Sequence, residues 1–286
     1  MRKWIELFRQ SENVRNNGSL DRILLENHLK LLLTSKMKLA IMQPYFFPYI
    51  GYFQLMDAAD EFVVYDNIEF SKGGWINRNR ILTNGKDSFI TLPLKKDSDF
   101  LDIRERCLAD VWSRERKKIL NRIAESYRKS PQFDPVYSLI EECILFNETN
   151  LFNFLLNSLI QTKKYLDIKT PLIPASKILV DHGLKSEEKV IAICKARKAD
   201  VYFNSIGGAR LYQNDHFESA GISLRFLRAL DIRYQQFEGG FVPSLSIVDM
   251  MMFNPKETIK EYLKLFHIFK QDAAIESLES SFAKRR

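Results

Sequence analysis

From residue 37 onward, short apolar runs alternate with amphipathic stretches. Residues 39–42, 62–65, 89–92, 201–203 and 223–226 have the length and character of buried strands. Residues 51–59 read as a helix between the first two runs, and residues 173–180 as extended. Pro44 and Pro48 forbid helix around themselves and fix an irregular loop. Asn84-Gly85 marks a tight turn before the third run, and Pro93 ends it. Residues 71–80 read as a polar, basic, aromatic loop, and residues 104–110 as extended.

The middle of the chain has helical period. Residues 113–129 place Ile119, Leu120, Ile123 and Tyr127 on one face, with charges opposite. Pro135 opens a second helix over residues 136–146, and Asn150 caps a third over 151–166. The α/β pattern then returns. Ser186 is expected to cap a helix at 187–198, and a short helix follows the 201–203 strand through Tyr212. Ser246 reads as an N-cap with Asp249 in the first turn of a helix through Phe253. A last helix is expected from Pro255 through Phe266. This alternation predicts an α/β fold, a Rossmann-like, mostly parallel sheet with a helical insert or cap at about residues 113–168.

Residues 1–36 read as a variable helical N-terminal extension. Trp4, Leu7 and Phe8 share one helix face; Leu20, Ile23, Leu24, Leu31 and Leu32 share a second, after Ser19. Met37 opens the strand pattern as if it were itself a start. The α/β domain is expected over residues 37–271, and residues 272–286 as a charged, frayed tail.

Composition changes this picture little. The 286 residues are 45% hydrophobic and 28% charged, enough to bury a core. A net charge of +7 suits an anionic partner. Cys107, Cys143 and Cys194 form no Cys-x-x-Cys pair, and His28, His182, His216 and His267 have no metal-ligand spacing, so no metal is expected. No apolar run reaches the roughly 20 residues that span a bilayer, and the N-terminus lacks a secretory apolar segment. A cytoplasmic protein is the resulting expectation.

Candidate chemistry concentrates just beyond strand ends. Ligands of open α/β sheets bind outside the carboxyl ends of the strands. Gln43 and Tyr45 follow the first strand, and Tyr49, Gly51 and Tyr52 the start of the next helix. A glycine at a helix start lets backbone approach a phosphate, and the helix N-terminus favours its charge. The spacing looks like the His-x-Gly-His signature of the adenylyl-transferring superfamily, with tyrosines where histidines would stand. Asp66 ends the second strand and is the candidate base. Lys72, Trp75, Asn77, Arg78, Asn79 and Arg80 fit a bound anion with a flat ring stacked nearby. Asn204, Gly207 and Gly208 repeat the strand-end logic, and His182, before Gly183, is the one histidine placed after a strand. Ser246 and Asp249 complete the candidate set.

Several motifs in register resemble the WbqC-like proteins of bacterial surface-polysaccharide (O-antigen) biosynthesis. They are Ile41-Met42-Gln43-Pro44-Tyr45, Pro48-Tyr49-Ile50-Gly51-Tyr52, Ala59-Asp60-Glu61-Phe62-Val63 with Asp66, Trp75-Ile76-Asn77-Arg78-Asn79-Arg80, Asn204 to Gly208, and Phe241-Val242-Pro243 with Leu245-Ser246-Ile247-Val248-Asp249. The resemblance covers residues 37–266 and implies an enzyme that transfers an acyl or aminoacyl group to the amine of a nucleotide-linked amino sugar. In that reading Asp66 is the base, Asn77, Asn204 or the Gly207-Gly208 amides serve the oxyanion, and Lys72, Arg78 and Arg80 hold the pyrophosphate. The donor is open among acyl-CoA, a carrier protein, aminoacyl-tRNA and ATP with a free acid, and a homo-oligomer is compatible. Two alternatives stand beside it: ATP-dependent adenylyl chemistry, and non-catalytic binding of carbohydrate or RNA.

Overall fold

The computed structural model describes residues 36–283, so the two helices expected at the N-terminus lie outside the described residues. Six strands form one sheet: β1 (Lys38–Met42), β2 (Glu61–Val64), β5 (Leu172–Pro174), β6 (Val201–Ser205), β7 (Ser223–Ala229) and β8 (Phe266–Phe269). Their order is β5-β2-β1-β6-β7-β8, with all neighbours parallel except β7 and β8. Counted within this sheet, that is third, second, first, fourth, fifth, sixth, the Rossmann order. The order reverses between β1 and β6, so a crevice is expected beyond Met42 and Ser205.

Period-two alternation splits the strand side chains between two cores. Ala40, Phe62, Val64 and Phe203 join one cluster; Leu39, Ile41, Val63, Tyr65 and Tyr202 join the other. The first core is covered by α1 (Ile50–Ala58), α2 (Trp112–Tyr127), α3 (Phe133–Leu145), α4 (Leu151–Tyr165), α7 (Ile247–Phe253) and α8 (Lys256–Tyr262). The second is covered by α5 (Ser186–Ala196), α6 (Asn214–Ser219) and α9 (Gln271–Ala283). The predicted helical insert therefore shares its core with the sheet. α1 buries nearly every residue, as an apolar helix inside a layered domain must.

Residues 71–80 are not wholly loop. β3 (Arg78–Thr83) starts inside that stretch and pairs antiparallel with β4 (Lys86–Thr91) in a separate two-stranded sheet. Asn84 and Gly85 take φ of 51° and 74°, the positive pair that a two-residue hairpin turn requires. Alternation in Arg78-Asn79-Arg80-Ile81 was masked because both outward positions are arginine. Residues 103–105 form a single 3-10 turn within the expected extended segment, because Asp102 and Glu105 close a capping box. Lys185, not Ser186, is the N-cap of α5, and Ser186 takes a φ of 44°. The short helix expected through Tyr212 is a single 3-10 turn, Ile206–Gly208, and helix α6 lies beyond Tyr212. The last expected helix stops at Tyr262, and Phe266–Phe269 is instead the antiparallel edge strand. The expected charged tail is helix α9 through Ala283, held by buried Ala274 and an Arg210–Glu279 ion pair at 2.8 Å. No helix among the described residues is long and apolar enough to cross a membrane.

Candidate functional site

The loop after β1 is fixed by backbone partners. Phe46 N donates to Trp75 O and Ile76 O, and Tyr65 N donates to Met42 O. Asn79, 4% exposed, donates its amide to Phe46 O and Phe47 O at 3.0 and 2.9 Å. Ser246 donates its hydroxyl to Phe47 O at 2.7 Å and also caps α7 through Val248 N. These two residues hold the loop and its strained Phe47, whose φ is 40°. Tyr52 donates to Gln43 O at 3.0 Å and packs beside Tyr45, closing the loop from the helix side. Burial raises the pKa of Tyr45 and Tyr52, so both stay neutral donors. Among the described residues no hydrogen bond holds the Gln43 side-chain amide.

The glycines divide by what surrounds them. A Cβ on Gly51 would lie 2.1 Å from the Tyr49 hydroxyl, so this glycine makes room for the Tyr49 ring. A Cβ on Gly208 would lie 2.9 Å from the Asn204 amide nitrogen. Gly207 is different: it is exposed, and a Cβ there would meet nothing within 4 Å. Neither packing nor a positive φ requires glycine at that point, which stands at the end of β6 beside the order reversal. Asn204 itself is spent internally, its amide donating to Tyr202 Oη at 3.1 Å and its carbonyl accepting from Ser205 N.

The carboxyl end of β2 carries the densest buried polarity. Asp66 is 1% exposed and accepts from Ser176 N at 2.9 Å and Ser176 Oγ at 2.5 Å. Both oxygens are used to pin the turn after β5. Asn67 is 5% exposed; its amide nitrogen meets His182 Nδ1 at 2.9 Å, and among the described residues its side-chain oxygen has no partner. Lys189 of α5 is 6% exposed, donates to Asn67 O at 2.9 Å and lies 5.3 Å from the Tyr65 ring centroid. Burial holds its pKa below 10.5, against the pull of Asp102 and Asp66 and with help from Arg104. Burial also pushes the Tyr65 hydroxyl up to about 12. Lys189, Asn67 and Ser176 were missed in the sequence. The signal for Lys189 was present: it falls on the buried stripe with Val190, Ile193 and Cys194, where a charge is anomalous.

The remaining candidates lie elsewhere. Asp249 is wholly buried and accepts from Tyr127, Tyr234 and Gln236 at 2.9, 2.7 and 2.8 Å. It is a hub joining α2, α7 and the segment before it. Asn77 donates to Leu92 O at 2.9 Å, anchoring the hairpin. Lys72 pairs with Asp99, Arg78 donates to Gly73 O and Gly74 O, and Arg80 bonds Asp87 and Ser244 O. The structure joins Asn67, His182 and Lys189 at the end of β2, leaves Gln43 and Gly207 just after β1 and β6, and sets Arg78 and Arg80 on the hairpin with Trp75 stacked against it. Among the described residues no group of three or more His, Cys, Asp or Glu is placed to hold a metal. A small crevice of about 80 Å³ also opens between Tyr49, Ile50 and the end of β7.

Residues 43–261 match the family model described as the WbqC-like protein family. The chain belongs to that family. The matched span runs from Gln43 to Glu261 and so includes every residue placed at the strand ends and on the hairpin. A relative in Mycobacterium tuberculosis (strain ATCC 25618 / H37Rv), the uncharacterized protein Rv1507c, is 28% identical over 232 residues, covering 79% of this chain and 97% of its own. No solved structure matches.

Proposed function

We propose that this WbqC-like chain is a transferase of surface-polysaccharide assembly. It places an acyl or aminoacyl group on the amine of a nucleotide-linked amino sugar. The observation that carries this reading is Lys189, a buried lysine of lowered pKa at the carboxyl end of a Rossmann-ordered sheet. Amide formation needs a group that takes a proton from the attacking amine while the N–C bond forms and the bond to the leaving group breaks. In its neutral form Lys189 accepts that proton and passes it to the departing thiol or hydroxyl. Asp66 is a poorer base than the sequence suggested, because Ser176 occupies both of its oxygens. Asn67 meets Nδ1 of His182 at 2.9 Å, which leaves the ring's Nε2 to face the carbonyl oxygen of the acyl group. Gly207 gives the substrate a backbone edge with no side chain over it.

Thermal unfolding against a ligand panel tests this reading. A ligand at about 100 times its Kd stabilises by about 2.7 kcal/mol, a shift of roughly 5–10 °C here. A shift with UDP-, dTDP- or GDP-linked amino sugars is expected. A shift with ATP alone favours the adenylyl alternative. Silence towards every ligand in the panel removes both.

A further inference from the structure

Beside the hairpin lies a cleft of about 340 Å³ lined by Arg106, Arg78, Lys96 and Thr91. Arg106 is 5% exposed. Its terminal nitrogens donate to Ser98 O at 2.8 Å and Lys95 O at 3.2 Å, and its guanidinium lies 5.1 Å from the Phe70 ring centroid. Its Nε is buried without a partner, and among the described residues no carboxylate pairs with it. A buried charge without a counter-ion is costly, so an anion in the cleft stabilises this arrangement. The acidic residues of the lining do not fill that role. Asp99 pairs with Lys72, and Asp97 accepts from Ser98 N. Lys96 is exposed and Arg78 hydrogen-bonds backbone carbonyls, so among the described residues two more cations lack a carboxylate.

Arg78 joins this cleft to an aromatic surface. Its guanidinium lies 4.8 Å from the Phe89 centroid. Phe89 stacks on Trp75 at 6.2 Å with 24° between planes, and Arg80 lies 5.5 Å from Trp75. Trp75 and Phe89 are 40% and 42% exposed, on the hairpin face turned away from the core. The exposed parts of two stacked rings, beside a cation-lined cleft, offer apolar aromatic surface for a base next to its phosphates.

We propose that the cleft and the stack form one site for a nucleotide bearing two or more phosphates. The phosphates sit at Arg106, Arg78 and Lys96, and the base lies on Trp75 and Phe89. This deepens the proposed function, and rests on it only for which molecule carries the nucleotide. Phe70 on the cleft is three residues from Asn67, at most about 11 Å along the chain. A sugar nucleotide and coenzyme A share this chemistry.

The test titrates the full chain with UDP, dTDP, 3′,5′-ADP and inorganic pyrophosphate, by calorimetry and tryptophan fluorescence. Saturable nucleotide binding that quenches fluorescence, with pyrophosphate competing, is expected. UDP or dTDP above 3′,5′-ADP assigns the site to the sugar nucleotide; the reverse assigns it to coenzyme A. Lys96→Glu and Trp75→Ala each weaken binding about tenfold or more. Both side chains are exposed, so the fold survives either change. Undiminished affinity in both variants overturns the site. So does binding of an RNA oligonucleotide while nucleotides and pyrophosphate stay silent. Binding without any transfer removes the proposed reaction and leaves the site; transfer unaffected in both variants does the opposite.

Discussion

Lys189 Nζ donates to the main-chain oxygen of Asn67 at 2.9 Å, tying a charge-bearing residue of α5 to the end of β2. This contact puts an ionisable group where the fold binds ligands, and burial favours its neutral form. In Lys189→Met the packing volume is retained and the proton acceptor is lost. The expected outcome is a folded protein whose kcat falls about 10²- to 10⁴-fold, measured on the sugar product. An unchanged kcat removes Lys189 from the mechanism.

The same shift predicts a pH profile. The folded pKa of Lys189 lies below the 10.5 of the unfolded chain. Within the window ending at 10.5 the unfolded chain binds more protons, so stability from this site rises with pH there. The transfer rate rises through the same window as the neutral amine accumulates. Lys189→Met should lose both slopes, read from paired pH–rate and pH–melting curves.

Asp66 separates a positioning role from a chemical one. Asp66→Asn leaves one of the two Ser176 donors without an acceptor, a cost of about 1–3 kcal/mol. A melting temperature lower by about 3–8 °C is expected, with kcat within tenfold of the parent. A loss of 100-fold or more at unchanged stability would restore Asp66 as the base.

Gly207 and Gly51 should respond in opposite ways. Gly207→Ala meets no atom within 4 Å, so stability holds or rises by about 0.4–1 kcal/mol. Its kcat/KM should fall, because a methyl group then stands where substrate passes the backbone. Gly51→Ala displaces the Tyr49 ring, a flexible side chain 42% exposed, and should reshape the small crevice beside it. Full activity in Gly207→Ala contradicts substrate passage at that turn.

Asp249 gives a second pH signature, with the sign reversed. Burial raises its pKa above 3.8, against the three hydrogen bonds from Tyr234, Gln236 and Tyr127. A raised folded pKa contributes stability below 3.8 that is lost as pH rises through the folded value. Asp249→Asn should remove that decline from the melting curve. Asp249→Ala leaves three donors unpaired and should cost at least about 3 kcal/mol.

The strand-and-helix alternation was legible because buried parallel strands are short apolar runs, and β1, β2, β6 and β7 each show one. Asn150 capping α4 and Ser246 capping α7 were legible from side-chain chemistry alone. β3 was hidden because its outward face carries Arg78 and Arg80, and β8 because Phe266 continued a helical stripe. At the site, residue type pointed to Asp66, Asn79, Asn204 and Asp249, all polar and all spent on internal partners. The long-range bonds of Asp66, Asn79 and Asp249 span 13 to 122 residues and leave no local trace. Arg106 had no signal, since its burial depends on a loop folding over it.

The most direct test of the transfer reaction is mass spectrometry of nucleotide-linked amino sugars incubated with the purified chain. UDP-, dTDP- and GDP-linked sugars are each paired with acyl-CoA, aminoacyl-tRNA, a charged carrier protein, or ATP with a free acid. One pairing should give the sugar nucleotide the mass of an acyl or aminoacyl group on nitrogen, and Lys189→Met should abolish that product. Binding of the sugar nucleotides with no mass change in any pairing would contradict the account.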